Sequence, residues 1–437
     1  MAHLADRIPW PLLTSNLRWV PRRSGKECQY EVTNLVPRMK ENQGADFTQF
    51  VSDFVQAIDD CATEERSKYP EYNLPHPENV LLDERIVQKI DPYVARWLPV
   101  SGIYYPGDIP EPPLIPHELR IVAAFLRSYE YNDCPYFYEI NGLGYFNLEI
   151  VKTLIIHGEM EPILRACVHP DVALESWKNA AQCHCMASPP DAGWDQLYEK
   201  ALYVYLCLNT VLKVPELWDP AVGKTDQLDY RHTAFYQRML RDCTAPGGTS
   251  DVITYPHRQF FGIPDDRFHN DGPHLVNKKG KHWLQNIGIF NENGEHTING
   301  PHYGFLPFDE FLTLENPSME HFPSAEDVSC VRQILYEQGC LPPELVSMVM
   351  RFADYEPKRT LKVPHDPFHP ANREQLARYM QNCGQILVNC EMMARELGVE
   401  IDWRRQISQT IISFWSNRDC RIAEWLINTH GKGYRFL

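Results

Sequence analysis

Long blocks of this chain carry apolar residues at helical spacing, and prolines stand between the blocks. That alternation constrains the fold most. A proline inside a helix or a central strand removes a hydrogen bond, so each proline-rich junction ends an element. Residues 45–68 place Phe47, Phe50, Val51, Phe54, Val55 and Ile58 on one helical face, and 84–97 repeats the pattern with Ile86, Ile90, Val94 and Trp97. The same spacing predicts helices over 117–130, 147–168, 193–213, 228–243, 325–338, 343–353, 372–397 and 404–429. Prolines number 35 in 437 residues, against an average of roughly 5%. The run from Tyr105 to Pro116 is read as an extended connection. Only around 275–300 does the texture turn to strands: Trp283–Phe290, the turn Asn291-Glu292-Asn293-Gly294, then Glu295–Ile298. The expected fold class is α+β, predominantly helical, with that small β element.

Hydrophobic residues at 43% supply a large core, which excludes a disordered chain, and 23 glycines without a period exclude a collagen-like one. The formal net charge is −16, but it is unevenly spread. Residues 358–437 hold 12 Lys/Arg against 8 Asp/Glu, which leaves −20 on the rest. An acidic main body over 1–323 and a helical, mildly basic C-terminal unit over 324–437 are therefore expected. No apolar run reaches the length of a membrane span, the first ten residues do not read as a secretory signal, and the last four match no lipidation motif. Thirteen cysteines spread over the chain, with no CxxC pair, fit reduced thiols in a cytoplasmic protein. The closest spacing is Cys183-His184-Cys185, which lacks the second half of a zinc site. No partner membrane, metal or cofactor is expected.

Chemistry-bearing residues are densest over 257–302, which holds six of the 17 histidines: His257, His269, His274, His282, His296 and His302. His269-Asn270-Asp271 has the H-x-D form that non-haem iron oxygenases use, with His321 and Arg332 at tolerable distances for the third ligand and a cosubstrate cation. The helical periodicity of 325–338 opposes that fold, and the bland alternative is a loop of locally bonded histidines. Gly142-Leu143-Gly144 lacks the third glycine of a dinucleotide fingerprint and reads as a turn; Ala245–Ser250 lacks the lysine of a phosphate loop. Asp59, Asp60, Glu64 and Glu65 read as a solvated helix face. No G-x-S-x-G elbow is present, and with so many cysteines and histidines a nucleophilic pair cannot be singled out. Arg404, Arg405, Arg418 and Arg421 give the final helix a basic face for RNA phosphates or an acidic partner, beside the plainer reading of arginines in water. A second basic cluster is Arg18, Arg22, Arg23 and Lys26.

Leu341-Pro342-Pro343-Glu344-Leu345-Val346 resembles the opening of an F-box, whose Leu-Pro-x-Glu-Leu turn starts a helix that docks on a ubiquitin-ligase adaptor. Further on the chain departs from that pattern at Val363-Pro364-His365-Asp366-Pro367. Residues 340–403 as a whole resemble the C-terminal part of large protein families of filamentous fungi, among which are the arginine-containing cyclodipeptide synthases. That resemblance implies a cytosolic biosynthetic enzyme of secondary metabolism, a transferase that condenses two aminoacyl-tRNAs into a cyclic dipeptide. It also implies a carboxylate-lined pocket for an arginyl group. Ser101, after Leu98-Pro99-Val100, is the residue that would stand for the strand-end serine of the bacterial enzymes. The candidate catalytic residues are thus Ser101, His269, Asp271 and His302. The alternatives are an F-box-like adaptor that binds a protein partner through 341–346, and a non-haem iron oxygenase.

Overall fold

The computed structural model describes residues 4–19, 35–37, 43–97, 115–122, 137–172, 193–214, 218, 230–244, 252–262, 323–353 and 355–414. Among them the chain is predominantly helical. Its helices are α1 (Leu4–Arg7), α2 (Trp10–Thr14), α3 (Gln43–Arg66), α4 (Glu84–Trp97), α5 (Phe137–His157), α6 (Met160–Cys167), α7 (Asp195–Lys213), α8 (Ala234–Thr244), α9 (Tyr255–Phe261), α10 (Ala325–Glu337), α11 (Pro343–Phe352), α12 (Arg373–Glu396) and α13 (Trp403–Ser413). The described strands, β1 (Leu17–Trp19) and β2 (Leu35–Pro37), pair antiparallel. The β element expected around 275–300 lies outside the described residues.

The helix α12 is the axis of the core. It packs against α7 and α3 most extensively, and also against α5 and α6. Its buried residues, from Leu376 and Tyr379 to Met392 and Met393, go around much of the helix rather than along one stripe. A helix apolar on several faces has to be surrounded by others. Gly384 allows the close approach to α7: a β-carbon there would stand 3.2 Å from Tyr205 Cε2. At the far end of α12, buried Asn389 donates from Nδ2 to the Ile155 carbonyl of α5 at 3.0 Å.

The helix α3 buries Phe47, Phe50, Phe54 and Ile58 and turns its acids outward. Trp10 seats on that face, with ring centroids 5.7 Å from Phe50 and 6.0 Å from Tyr205, and its indole N–H donates to the Ala5 carbonyl at 2.9 Å. The acids of α3 are tied to neighbours. Asp59 pairs with Arg395 of α12, Glu64 with Arg7 of α1, and Glu65 with Lys68.

Three expectations change. The helix predicted from 117 is instead a short 3-10 turn, His117–Leu119, after which Ile121 forms an antiparallel bridge with Leu81. The predicted helix over 147–168 is two helices, α5 and α6, separated at Gly158, whose φ of +71° is left-handed and ends α5. Gly142 and Gly144, read as a turn, lie inside α5. Two glycines cost roughly 2 kcal/mol of helix propensity together, which the burial of Phe146, Leu148, Val151, Leu154 and Ile155 farther along α5 outweighs.

The pair α10–α11 forms a hairpin around a core cluster of its own, Val328, Val346 and Met350. Ser324 and Asp327 form a reciprocal capping box at the start of α10. By contrast α12 and α13 belong to the main core, through Tyr379, Cys383, Leu387, Trp403 and Ile407.

Candidate functional site

A cavity of about 320 Å³ opens between α4, α5, α9 and α12. The helical repeat of α12 puts Gln375, Arg378, Tyr379, Asn382, Cys383 and Ile386 along it, at i, i+3, i+4, i+7, i+8 and i+11. Tyr93 comes from α4, Thr153, Ile156 and His157 from α5, and Tyr255, His257, Gln259 and Phe260 from α9. Thr360 closes one side. Its N–H donates to the Gln259 carbonyl at 3.2 Å, so the 358–361 segment is strapped to the end of α9. Gly262 ends α9 in a left-handed conformation with φ +67°.

The centre of the site holds three groups, His257, Tyr379 and Cys383. His257 Nδ1 and the Tyr379 hydroxyl are 2.6 Å apart and buried. Burial holds the His257 imidazole neutral, with a pKa down at about 3, and nearby Lys200 acts in the same direction. Burial likewise raises the Tyr379 phenol well above its ordinary range. The phenol therefore keeps its proton and donates it to His257 Nδ1. Cys383 lies one helical turn later on α12, along the same cavity wall. Burial pushes the Cys383 thiol up to about 12, so it rests protonated. Phe260 stacks flat on Tyr379, centroids 3.7 Å apart, and fixes the ring.

A second histidine faces the same space. His157 packs on Tyr93 with centroids 4.0 Å apart. Burial, aided by Lys89, lowers its pKa to about 4. Lys89 Nζ donates to the His157 carbonyl at 2.8 Å and pairs with Glu159. Among the described residues the cavity lining contains no Asp, Glu or Lys, and Arg378 in it pairs with Glu374 in solvent. Gln375 Oε1 is shut off from water and has no hydrogen-bond partner among the described residues.

A wider groove of about 630 Å³ runs on the other side of α12, against α1, α3 and α7. It carries Asp6, Glu64 and Glu65, but Glu64 and Glu65 are engaged by Arg7 and Lys68. The smaller cavity is the better candidate: it combines enclosure, two histidines shifted from their ordinary range and an unsatisfied polar atom.

Of the residues singled out in the sequence, Ser101, His269, Asp271, His302, Arg418 and Arg421 lie outside the described residues, as do His321, Cys183 and Cys185. Arg404 and Arg405 are exposed on the first turn of α13. Arg404 donates to Ser52 Oγ at 2.9 Å, and the Arg405 backbone N–H donates to the helix-capping Asp402 carboxylate at 3.0 Å. In the F-box-like start, Val346 is consumed by the hairpin's own core while Leu345 stays exposed. Among the described residues, no three His, Cys, Asp or Glu side chains gather as a metal site. Nor is any described helix long and apolar enough to cross a membrane.

The sequence reading named His257 among six histidines without distinguishing it, and passed over Tyr379 and Cys383. The Tyr-x-x-x-Cys spacing on the buried side of α12 was the available signal. Its histidine partner is 122 positions away in the chain.

No curated protein and no solved structure matches this sequence. A family model does: the one described as gramillins biosynthetic cluster protein GRA5 matches residues 11–423, nearly the whole chain. With a match of that extent, the chain belongs to the gramillins biosynthetic cluster protein GRA5 family, a family of fungal biosynthetic-cluster proteins.

Proposed function

We propose that this chain is a biosynthetic enzyme and that the cavity between α4, α5, α9 and α12 is its active site. The observation that carries the reading is the buried Tyr379–His257 hydrogen bond in a cavity whose wall also carries Cys383, one helical turn along α12. Acyl transfer is the reaction class these groups serve best. A thiol or a bound acceptor gives up a proton as it attacks an acyl carbon, the phenol and imidazole take it up in sequence, and the imidazole returns it to the leaving group. Because His257 and Cys383 both rest neutral, the proton has to move as the new bond forms rather than before it. An aminoacyl-tRNA as acyl donor, with a cyclic dipeptide as product, is the finer form of this reading; exposed Arg404 and Arg405 support it as phosphate contacts. Among the described residues the cavity lining offers no carboxylate to an arginyl side chain, which speaks against a cationic group seated there.

Expression of the gene in a heterologous host, followed by extract analysis, tests the proposal. A new acyl-transfer product is expected from the native chain. His257→Ala and Tyr379→Phe are expected to reduce it by about a hundredfold or more. A product made equally well by both variants overturns the assignment of this cavity.

A second reading, an adaptor that docks through the F-box-like segment, is favoured by one observation. The helix α11 exposes Leu345, Met348, Val349 and Phe352 at i, i+3, i+4 and i+7. Capture of a purified ubiquitin-ligase adaptor by the native chain, lost on Leu345→Asp and Phe352→Asp, would replace the enzyme reading.

A further inference from the structure

We infer that the outer face of α11 docks on a second copy of this chain, as an antiparallel, two-fold pair of α11 helices. Among the described residues nine large apolar side chains are exposed, and six of them stand on the α10–α11 hairpin. Four of the six, Leu345, Met348, Val349 and Phe352, form one stripe on α11, and Phe352 is 78% exposed. Helical spacing points this stripe away from Val346 and Met350, which close on Val328 in the hairpin's own core. It is a second apolar face, left over once the hairpin is closed. Charge selects the occupant. Glu344 and Arg351 are exposed on one edge of the stripe, four residues before and three after Met348. A two-fold axis perpendicular to the helix and beside Met348 reverses the helix direction and lays each edge against the same edge of the second copy. At a rise of about 1.5 Å per residue, Glu344 of one copy and Arg351 of the other then stand within about 2 Å of the same level, at both ends of the pair. Two ion pairs thus flank a seam in which Met348 meets its own copy and Leu345 meets Phe352. In a parallel pair Glu344 would be level with Glu344 and Arg351 with Arg351, so the order of charges favours the antiparallel one. Arg351 also lies over the Phe352 ring, its guanidinium carbon 5.8 Å from the centroid, which holds the cation at the rim of the seam. Four side chains make a small interface, so the affinity expected is micromolar rather than nanomolar.

Sedimentation velocity of the full chain, from about 1 to about 100 µM, reads the association. The native chain is expected to move from the mass of one chain toward that of two across this range. Met348→Asp sets two carboxylates against each other at the two-fold axis and is expected to weaken self-association by about tenfold or more. Glu344→Arg and Arg351→Glu each bring like charges together and are expected to weaken it by about fivefold or more. An equimolar mixture of those two variants is expected to associate within about threefold of the native chain, because every charge pair across the axis is again opposite in sign. Thermal melting of each variant establishes that it is folded. A native chain that stays monomeric to about 100 µM overturns the inference. So does a dimer indifferent to Met348→Asp, or a mixture that associates no better than either variant alone. A monomeric native chain that captures a purified ubiquitin-ligase adaptor through the same stripe overturns it too, with the adaptor as the occupant.

Discussion

Lys152 and Glu149 are fully buried on α5, three residues apart, with Nζ and Oε1 at 2.6 Å. Two charges taken out of water are held only by each other and by further hydrogen bonds, so the pair is expensive to break and contributes little net stability whole. Lys152→Met is therefore expected to cost about 3–5 kcal/mol in urea unfolding, because it strands the Glu149 carboxylate. Adding Glu149→Leu is expected to restore much of that loss. If the single and double variants melt alike, the pair is not coupled as its geometry implies. The residues of the candidate site illustrate what a sequence hides at this scale. The neutrality of His257 comes from burial under α12, and that of His157 from packing against Tyr93. Neither neighbour lies close by in the chain. The triplet His269-Asn270-Asp271 drew attention because its residues are adjacent, and adjacency is the only kind of constellation a single sequence displays directly.

At the scale of elements, periodicity was the informative signal. The bounds of α4, Glu84–Trp97, coincide with the expected 84–97, and α10, α11 and α12 each end within a residue of their expected limits. These helices have one buried stripe or an obvious terminal signal, such as Ser324 with Asp327 or the prolines before α11. Apart from the segment starting at His117, which makes a 3-10 turn and a bridge to Leu81 instead of a helix, the misreadings fell on glycine. Gly158 interrupts what looks like one apolar helix, whereas Gly142 and Gly144 do not interrupt α5. The difference lies in whether the backbone adopts a left-handed φ, which residue type permits but does not dictate. The capping box gives a test at this scale. Ser324→Ala is expected to cost about 1 kcal/mol, because the Asp327 N–H and the helix entry lose their partner. The hairpin core has three buried residues, so the loss should appear as faster local amide exchange in α10–α11, with the main core unchanged. Uniformly faster exchange across α7 and α12 would show that the hairpin and the core unfold as one unit.

Across the whole molecule the buried His257 and the half-buried His157 couple stability to pH. Both have folded pKa values below the ordinary 6.5, at about 4 for His157 and about 3 for His257. Between about pH 6.5 and pH 4 the unfolded chain therefore binds protons that the folded chain refuses. The stabilisation is complete above about pH 6.5 and is withdrawn as pH falls toward the folded values. Each histidine contributes a slope approaching 1.36 kcal/mol per pH unit below about pH 6, so the pair amounts to several kcal/mol by pH 4. Lys89 and Glu159 act on His157 in opposite directions, and Lys200 reinforces the shift at His257. The carboxylates held below their ordinary range, Glu84, Glu159 and Glu374, lose their contribution at lower pH, as they protonate. The histidine window can thus be separated from the acid window. Urea unfolding at pH 7, 6, 5 and 4.5 is expected to show stability falling across this series, and His257→Gln is expected to reduce the slope by about half even if it also lowers the value at pH 7. A native chain equally stable from pH 7 to pH 5 would mean that water reaches these histidines. That result would remove the enclosure of His257 and His157 on which the candidate site depends.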